Sequence, residues 1–383
     1  MKITLSFEYT SLAKPGILYL LFTVFMVTVS CGTDSLEDAE AIDGIESPID
    51  SDNMEDPENE NNSDNTNSLG AVVFEENFIL EESRKFVNFI LSSDEYNSFL
   101  EGEGEVKMIS NKIYEYFNDQ FDFIFILSIQ ENQPDGLYYG RSNKVQNDIQ
   151  GLGSSLYDGT SQYGSQGLLK SVIHMPRTEY IRSGPFLHEI AHYWANHDFI
   201  PTTVVGHWGY SSAGGQLGGF DELIDLGNNT YQGKLNGKNG FGPNANGGNS
   251  LPYSKVELYS MGLIGPEEIG TLQLAQNPQS TGEFGKFTAD NINTLTASDL
   301  IAQHGDRVPS VENSQKDFKA ITVIISTTML NEDKIDSINR DLENFSKKGA
   351  PEDYWGNTYN FWKATGERAS IDIQIVEENL KTQ

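Results

Sequence analysis

Cysteine is almost absent from this chain. Its 383 residues include a single cysteine, Cys31, so the sequence after that position contains no thiol. Disulfide bonds and cysteine-ligated metal sites are therefore excluded from the part of the protein that follows Cys31.

Positive charge is also scarce. The chain has 25 Lys and Arg against 56 Asp and Glu, which gives a formal net charge of −31. Residues 71–383 contain 23 basic and 42 acidic side chains, so this part carries a net charge of about −19. The balance argues against nucleic acid and anionic lipid as partners, because both are polyanions that basic surfaces attract.

The N-terminal apolar run is too short to cross a membrane. It covers residues 17–29, whereas a membrane-spanning helix needs about 20 apolar residues. Lys2 and Lys14 precede the run, and Ser30 and Cys31 follow it. This order is typical of a signal peptide, in which a positive start comes before a short apolar region. We therefore predict a lipoprotein signal peptide at residues 1–30.

The position of Cys31, directly after the apolar run and small residues, resembles a lipobox. The resemblance implies that the mature chain begins at a lipid-modified Cys31. It also implies an outer-membrane or cell-surface lipoprotein of a Gram-negative bacterium, which contacts the membrane through its lipid anchor only. Thr28 departs from the pattern, since a large aliphatic residue is usual at that place. An ordinary secretory signal with an incidental cysteine is the alternative.

An acidic segment follows the candidate lipidation site. Residues 32–70 contain thirteen Asp or Glu, no Lys or Arg, and few apolar residues. Such a segment cannot bury enough surface to offset the entropy of ordering it, so we predict a disordered, self-repelling tether at residues 31–70. The segment also resembles the surface-export signals of some Gram-negative bacteria, and a plain solvated spacer is the alternative.

Residues 71–383 are long enough to form a hydrophobic core. Apolar spacing and β-forming runs predict the elements of this part. The predicted helices are residues 78–99, 105–121, 186–196 and 331–348, and the predicted strands are residues 121–128, 138–149, 168–175 and 320–326. Residues 228–254 are rich in Gly and Asn and are predicted to form a long surface loop. The order of elements favours a mixed sheet that packs against the helix at 186–196.

One motif on that predicted helix contains residues that can bind a metal ion and transfer a proton. His188 and His192 are four residues apart, so they lie on one face of a helix, one turn apart. Two imidazoles in this arrangement can reach one zinc ion. Glu189 follows the first ligand and is the candidate catalytic residue, because it can take a proton from the water bound to zinc and pass it to the leaving amine. The pattern is short, and its place on a predicted helix after Gly184-Pro185 supports it.

The motif His188-Glu-Ile-Ala-His192, together with Glu257-Leu-Tyr-Ser-Met-Gly262, resembles metzincin-type zinc metallopeptidases. Met261 matches the methionine turn that lies under the zinc in that family. The resemblance covers residues 105–263, about half of the predicted folded part. It implies an α+β fold with a zincin-like mixed sheet packed against an active-site helix in residues 71–265. Residues 266–383 are then expected to form a C-terminal α/β subdomain.

The third zinc ligand departs from the metzincin pattern. The family usually has Gly three residues after the second His and a third His three residues later, and Ala195 and Asp198 occupy those places. We favour His207, because it follows a loop in which Gly206 lets the backbone approach closely. Asp198 and Glu222 are the alternatives, since a carboxylate oxygen is also a permitted third ligand.

These features predict a zinc-dependent endopeptidase with one catalytic zinc and a protein or peptide substrate. Two alternatives keep the fold. One is a catalytically inactive zincin-fold surface binding or adhesion lipoprotein, and the other is a zinc amidase that acts on cell wall. Loops at residues 221–228 and 239–249 are candidates for binding Ca²⁺, although they lack a recognisable ligand spacing. The sequence indicates no oligomeric state.

Overall fold

A computed structural model of the protein describes residues 29–30, 70–195 and 199–382. The candidate lipidation site Cys31, most of the predicted signal peptide and nearly all of the predicted tether lie outside the described residues. Within the described ranges, no helix combines the length and the apolar character that crossing a bilayer requires.

Eight α-helices and eighteen strands are present in the described residues. The helices are α1 (Ser93–Leu100), α2 (Val106–Tyr116), α3 (Tyr180–Ser183), α4 (Phe186–Ala191), α5 (Lys255–Ser260), α6 (Ala297–His304), α7 (Glu332–Ser346) and α8 (Phe361–Ala364). The strands are β1 (Val29–Ser30), β2 (Val72–Glu75), β3 (Phe78–Leu80), β4 (Val87–Ile90), β5 (Phe123–Ser128), β6 (Arg141–Lys144), β7 (Gln146–Asn147), β8 (Tyr157–Asp158), β9 (Ser171–Met175), β10 (Glu222–Gly227), β11 (Thr230–Leu235), β12 (Lys238–Asn239), β13 (Thr271–Gln276), β14 (Gln279–Ser280), β15 (Lys286–Thr288), β16 (Asn291–Thr296), β17 (Asp317–Ser326) and β18 (Ser370–Asp372).

The largest sheet is mixed. Its strand order is β1-β6-β9-β5-β17-β4-β3-β2, and β18 pairs with β17 outside this path. The neighbouring strands β9, β5, β17 and β4 run parallel, whereas the pairs towards both edges are antiparallel. Helices pack on both faces of this sheet, so the predicted α+β class with a mixed sheet is confirmed.

Strand β5 shows how the sheet is covered. All six of its residues are buried, as expected for a parallel strand with helices on both faces. Phe123, Phe125 and Leu127 belong to the same core cluster as residues of α4 and α7. Ile124 and Ile126 face the opposite side and pack in a second cluster with residues of α2. Helix α4, which carries the histidine motif, therefore lies directly on the centre of the sheet.

The chain after residue 266 contributes to the same sheet. Strand β17 lies between β5 and β4, with Ile324 aligned with Leu127 on one side and Asn88 on the other. The predicted boundary between residues 265 and 266 therefore does not separate two sheets. Residues 320–326 of β17 are all buried, as expected for a parallel strand that is covered on both faces, and the sequence position of β17 does not reveal which strands it pairs with.

Two predicted elements differ from the structure in kind, and the helix predicted at residues 186–196 is shorter than expected, because α4 ends at Ala191. The prediction of one helix at residues 78–99 is wrong: β3 and β4 occupy its first half, and α1 begins only after the N-cap Ser92. Residues 87–90 are extended and not helical because β4 forms backbone hydrogen bonds with β17. The prediction of a loop at residues 228–254 is also wrong, because β11 and β12 lie inside it and join a smaller five-stranded sheet.

Candidate metal centre

Helix α4 carries the two histidines of the motif. Its first residue, Phe186, packs on Phe125 of β5 with 4.6 Å between the ring centroids, which fixes the helix against the sheet. The helix ends one residue before His192, which still has right-handed helical dihedrals (φ −59°, ψ −20°). The side chains of His188 and His192 therefore lie side by side, and their Nε2 atoms are 3.1 Å apart.

A loop brings a third histidine to this pair. Gly206 has a positive φ of +75°, a conformation that favours glycine, and it directs the chain back towards α4. His207 follows, and its Nδ1 donates a hydrogen bond of 2.8 Å to the Val205 carbonyl. One potential ligand atom from each of His188, His192 and His207 lies within 4.8 Å of the other two.

All three histidines are buried, with exposed fractions of 1% for His188, 5% for His192 and 7% for His207. His188 donates through Nδ1 to the carbonyl of Gln216 at 2.7 Å. Because a carbonyl can only accept, this bond places the proton of the neutral ring on Nδ1 and the lone pair on Nε2. The Val205 carbonyl selects the same tautomer at His207. Carbonyl partners of this kind orient histidine ligands in metal sites.

Burial lowers the pKa of His188 to about 3. The nearby His207 lowers this pKa further, while the hydrogen bond to the Gln216 carbonyl opposes the shift. The ring is therefore neutral near pH 7, and neutral imidazole is the form that binds a metal. A buried group of three histidines with convergent ligand atoms can hold a metal ion.

Of the two alternative third ligands, Glu222 and Asp198, only Glu222 lies among the residues that the structure describes. Glu222 lies on β10, where its side chain is exposed and its Oε1 is 3.1 Å from Lys234 Nζ. It is not part of the histidine group. Asp198 lies outside the described residues. Among residues 70–195 and 199–382, the cluster of possible metal ligands contains His207 as its third member.

Glu189 follows the first histidine on α4 and is almost fully buried, with an exposed fraction of 1%. Its backbone N–H donates to the Pro185 carbonyl at 2.9 Å, within the first turn of the helix. Its side chain points towards Gly140, the residue immediately before β6. The carboxylate is therefore held between the histidine helix and the edge region of the main sheet.

A buried carboxylate supports the third histidine. Glu257 Oε1 accepts hydrogen bonds from Trp208 Nε1 at 3.0 Å and from the Leu217 backbone N–H at 2.9 Å. Its Oε2 accepts from the Ser254 backbone N–H at 2.8 Å and completes a capping box at the start of α5. Burial raises the pKa of Glu257, although these donors oppose the shift. One side chain thus connects α5 to both ends of the loop that follows His207.

Met261 lies in the turn that ends α5. Its backbone N–H donates to the Glu257 carbonyl at 2.9 Å, and Gly262 turns the chain with φ +74°. The Met261 side chain is buried and lines a small pocket together with Ala191 of α4 and Trp208. The turn at Met261 therefore lies against both Ala191 of the histidine helix and Trp208, the residue next to His207.

Three contributors to the site were not identified from the sequence. Gln216 acts through its backbone carbonyl, for which a sequence carries no signal. Glu257 had a detectable signal, because Ser254 and Glu257 match the capping-box spacing. Gly140 also had one, since a glycine beside a β-forming run indicates close approach by another part of the chain.

The two candidate calcium loops differ in position, and the loop at residues 239–249 contacts the histidine helix, because Asn249 Oδ1 accepts a hydrogen bond of 2.9 Å from the Leu187 backbone N–H. They contribute no residue to the histidine group found in the described part of the chain. The Asp221 carboxylate accepts a hydrogen bond of 2.7 Å from the Asn236 backbone N–H, which is a structural role within the smaller sheet.

Comparisons with protein-family models, with curated proteins and with solved structures find no match to the chain.

Proposed function

We propose that the protein is a zinc-dependent endopeptidase of the metzincin type. The observation that carries this proposal is the convergence of His188, His192 and His207 in a buried group, with Glu189 next to the first of them. Three protein ligands, with a further position left for water or substrate, are characteristic of catalytic zinc sites. Neutral imidazole nitrogens suit zinc, and carbonyl partners hold at least two of the rings in the tautomer that ligates through Nε2.

The chemistry divides between the metal and the chain. A zinc ion bound by the three histidines would supply a Lewis acid that polarises the carbonyl of the scissile peptide bond. Glu189 accepts a proton from the attacking water as the water oxygen bonds to the carbonyl carbon. Glu189 then donates that proton to the amide nitrogen as the carbon–nitrogen bond breaks. The products are a carboxylic acid and an amine, and Glu189 returns to its starting protonation state.

The surrounding residues prepare this step. The Gln216 carbonyl orients His188, and the Val205 carbonyl orients His207. Glu257 holds the loop between Trp208 and Leu217 through two hydrogen bonds. Rings that are already oriented lose little conformational entropy when the metal binds, so the site is organised before ligation.

We further propose that the enzyme is an exported lipoprotein whose substrates are extracellular or periplasmic proteins and peptides. The support is the order of the apolar run, Cys31 and the acidic segment at residues 32–70. A lipid on Cys31 would anchor the chain at the outer membrane or cell surface. An acidic segment of this length would let the folded part reach substrates away from the membrane.

Metal analysis combined with a protease assay tests the enzymatic proposal. We expect about one zinc per chain and cleavage of an unfolded protein substrate such as casein. Glu189→Gln should keep its zinc and lose about 10²- to 10⁴-fold in rate, because proton transfer is removed while the ligands remain. Glu268→Gln, an exposed carboxylate after α5, is the matched control and should behave like wild type.

The other outcomes separate the alternatives. A protein that binds no zinc after reconstitution contradicts the peptidase proposal and favours the inactive surface binding lipoprotein. Zinc binding together with cleavage of peptidoglycan and not of casein would instead indicate a cell-wall amidase.

A further inference from the structure

Gly140 lies where the edge region of the main sheet approaches the histidine helix. It precedes β6, whose residues pair with β9. A methyl group on Gly140 would contact Cγ of Glu189 and would lie 2.6 Å from both its Cδ and its Oε1. These are the three nearest atoms, and carbon atoms do not approach each other or an oxygen this closely without displacement. The space next to Gly140 is therefore occupied by the Glu189 side chain.

The backbone does not explain why this residue is glycine. Gly140 is not among the glycines with positive φ, so its backbone conformation is open to any L-amino acid. The requirement for glycine comes from space alone. A side chain at position 140 would compete with the Glu189 carboxylate for the same volume.

The three atoms nearest to a methyl group at position 140 all belong to one side chain, that of Glu189. They are not backbone atoms, and none of them belongs to His188, His192 or His207. The rings of His188 and His207 are held from elsewhere, by the carbonyls of Gln216 and Val205. Filling the space next to Gly140 should therefore move the carboxylate and leave the metal ligands in place.

We propose that Gly140 is a positioning residue: the absence of a side chain there leaves the space that the Glu189 carboxylate occupies and so sets the location of that carboxylate. The inference rests on the proposed function, in which that carboxylate transfers the proton. A carboxylate displaced by about 1 Å from its working position is expected to lower the rate of the chemical step by about 10²-fold. The metal and the substrate should still bind, because neither depends on that displacement.

The first test compares the steady-state kinetics of the zinc-loaded full chain with those of Gly140→Ala. We expect kcat to fall by about 10²-fold, KM to stay unchanged and the zinc content to equal that of wild type. Gly349→Ala is the control, since a methyl group there would meet atoms only at 3.9 Å or more and φ is not positive. Equal kcat in Gly140→Ala and wild type would overturn the proposal, and so would loss of zinc from Gly140→Ala.

A second test does not depend on activity. Thermal unfolding of the zinc-free proteins is measured for wild type, Gly140→Ala, Glu189→Ala and the double variant. Gly140→Ala should lower the melting temperature in the wild-type background and lower it much less in the Glu189→Ala background, because the colliding atoms are absent there. If Gly140→Ala alone fails to fold, folding of the double variant supports the same contact. An equal decrease in both backgrounds, or failure of both variants to fold, contradicts the proposal.

The two tests also separate this inference from the proposed function. Wild-type protein that binds zinc and hydrolyses no substrate would overturn the proposed function. The unfolding cycle would then still decide whether the space at Gly140 sets the position of Glu189.

Discussion

Trp208 Nε1 donates a hydrogen bond of 3.0 Å to the buried Oε1 of Glu257. Trp208 is the residue after His207, and Glu257 lies on α5, which ends at Ser260 with Met261 as its C-cap. The bond therefore connects the residue after His207, the third histidine of the candidate metal group, to the helix that leads into the turn at Met261. Because Glu257 also binds the Leu217 backbone N–H, it closes the loop that contains the Gln216 carbonyl, which orients His188.

This relationship predicts the effect of Glu257→Gln. Both carboxylate oxygens accept hydrogen bonds from N–H groups, so the amide NH₂ of glutamine must face a donor at one of them. We expect a loss of about 1–3 kcal/mol in unfolding free energy, the cost of an unsatisfied buried polar group. Weaker zinc binding should accompany it, because the loop that positions His207 is released. Denaturant unfolding and competition with a chromogenic chelator measure the two effects.

A matched control separates this effect from a simple change of charge. Glu268→Gln removes an exposed carboxylate a few residues after α5 and should change neither stability nor zinc affinity. Wild-type zinc affinity in Glu257→Gln would show that the carboxylate does not support the metal group.

A comparison of variants tests the identity of the third ligand. His207→Ala should abolish stoichiometric zinc binding, because two imidazoles alone form an incomplete site. Glu222→Ala should keep its zinc and change stability by less than about 0.5 kcal/mol, since it removes only a surface ion pair with Lys234. Asp198→Ala should also keep its zinc. Elemental analysis after dialysis against zinc-free buffer provides the measurement, and zinc retained by His207→Ala would refute this assignment.

The buried histidines predict how stability changes with pH. Burial lowers the pKa of both His188 and His174 from 6.5 to about 3. The unfolded chain therefore binds more protons than the folded chain between these values. Stability from this source is fully present above pH 6.5 and is lost as pH falls towards 3, with a slope of up to about 1.4 kcal/mol per pH unit for each group.

Denaturant unfolding of the zinc-free protein between pH 5 and pH 7, a window of about two units around the unfolded histidine pKa, tests this expectation. His174→Gln should give a shallower slope than wild type, because one of the two groups no longer titrates. His174 lies on β9, is not part of the histidine group, and bonds to Ser128 and Tyr138, so zinc content provides a control and should not change. A stability that is constant over this range would contradict the prediction.

The lipoprotein proposal predicts the behaviour of Cys31→Ser in a bacterial host. We expect loss of fatty-acid labelling and a shift of the protein from the membrane fraction to the soluble fraction, since the thiol that accepts the lipid is gone. Ser30→Ala keeps a small residue before the cysteine and should remain labelled. Unlabelled wild-type protein would instead support the ordinary secretory signal.

Much of the main sheet was predictable because its signals are local. Residues 123–127 of β5 form an uninterrupted apolar run, and the predicted strand at residues 320–326 lies within β17. Helix α7 matches its prediction closely, since Asn331 caps it through a hydrogen bond from the Lys334 N–H at 2.9 Å. Residues that determine their own conformation in this way can be interpreted without knowledge of their neighbours.

The errors have an equally specific cause. Asn228 and Asn229 were interpreted as part of a loop, and both have positive φ, of 52° and 58°. This conformation is typical of a tight turn between two strands, and the pair joins β10 to β11. Turn residues and loop residues have the same composition. The pairing of β10 with β11 on either side of these residues is what distinguishes a hairpin from a loop.

At the metal group, the sequence by itself determined the spacing of His188, Glu189 and His192, because a helix of any length places residues four apart on one face. The tertiary structure decided the rest. It selected His207 over Glu222, brought the Gln216 carbonyl to His188 across 28 positions, and placed Gly140 against Glu189. The physical reason is that these contacts join residues far apart in the chain, so their formation depends on the packing of α4, the loop after His207 and the sheet edge together.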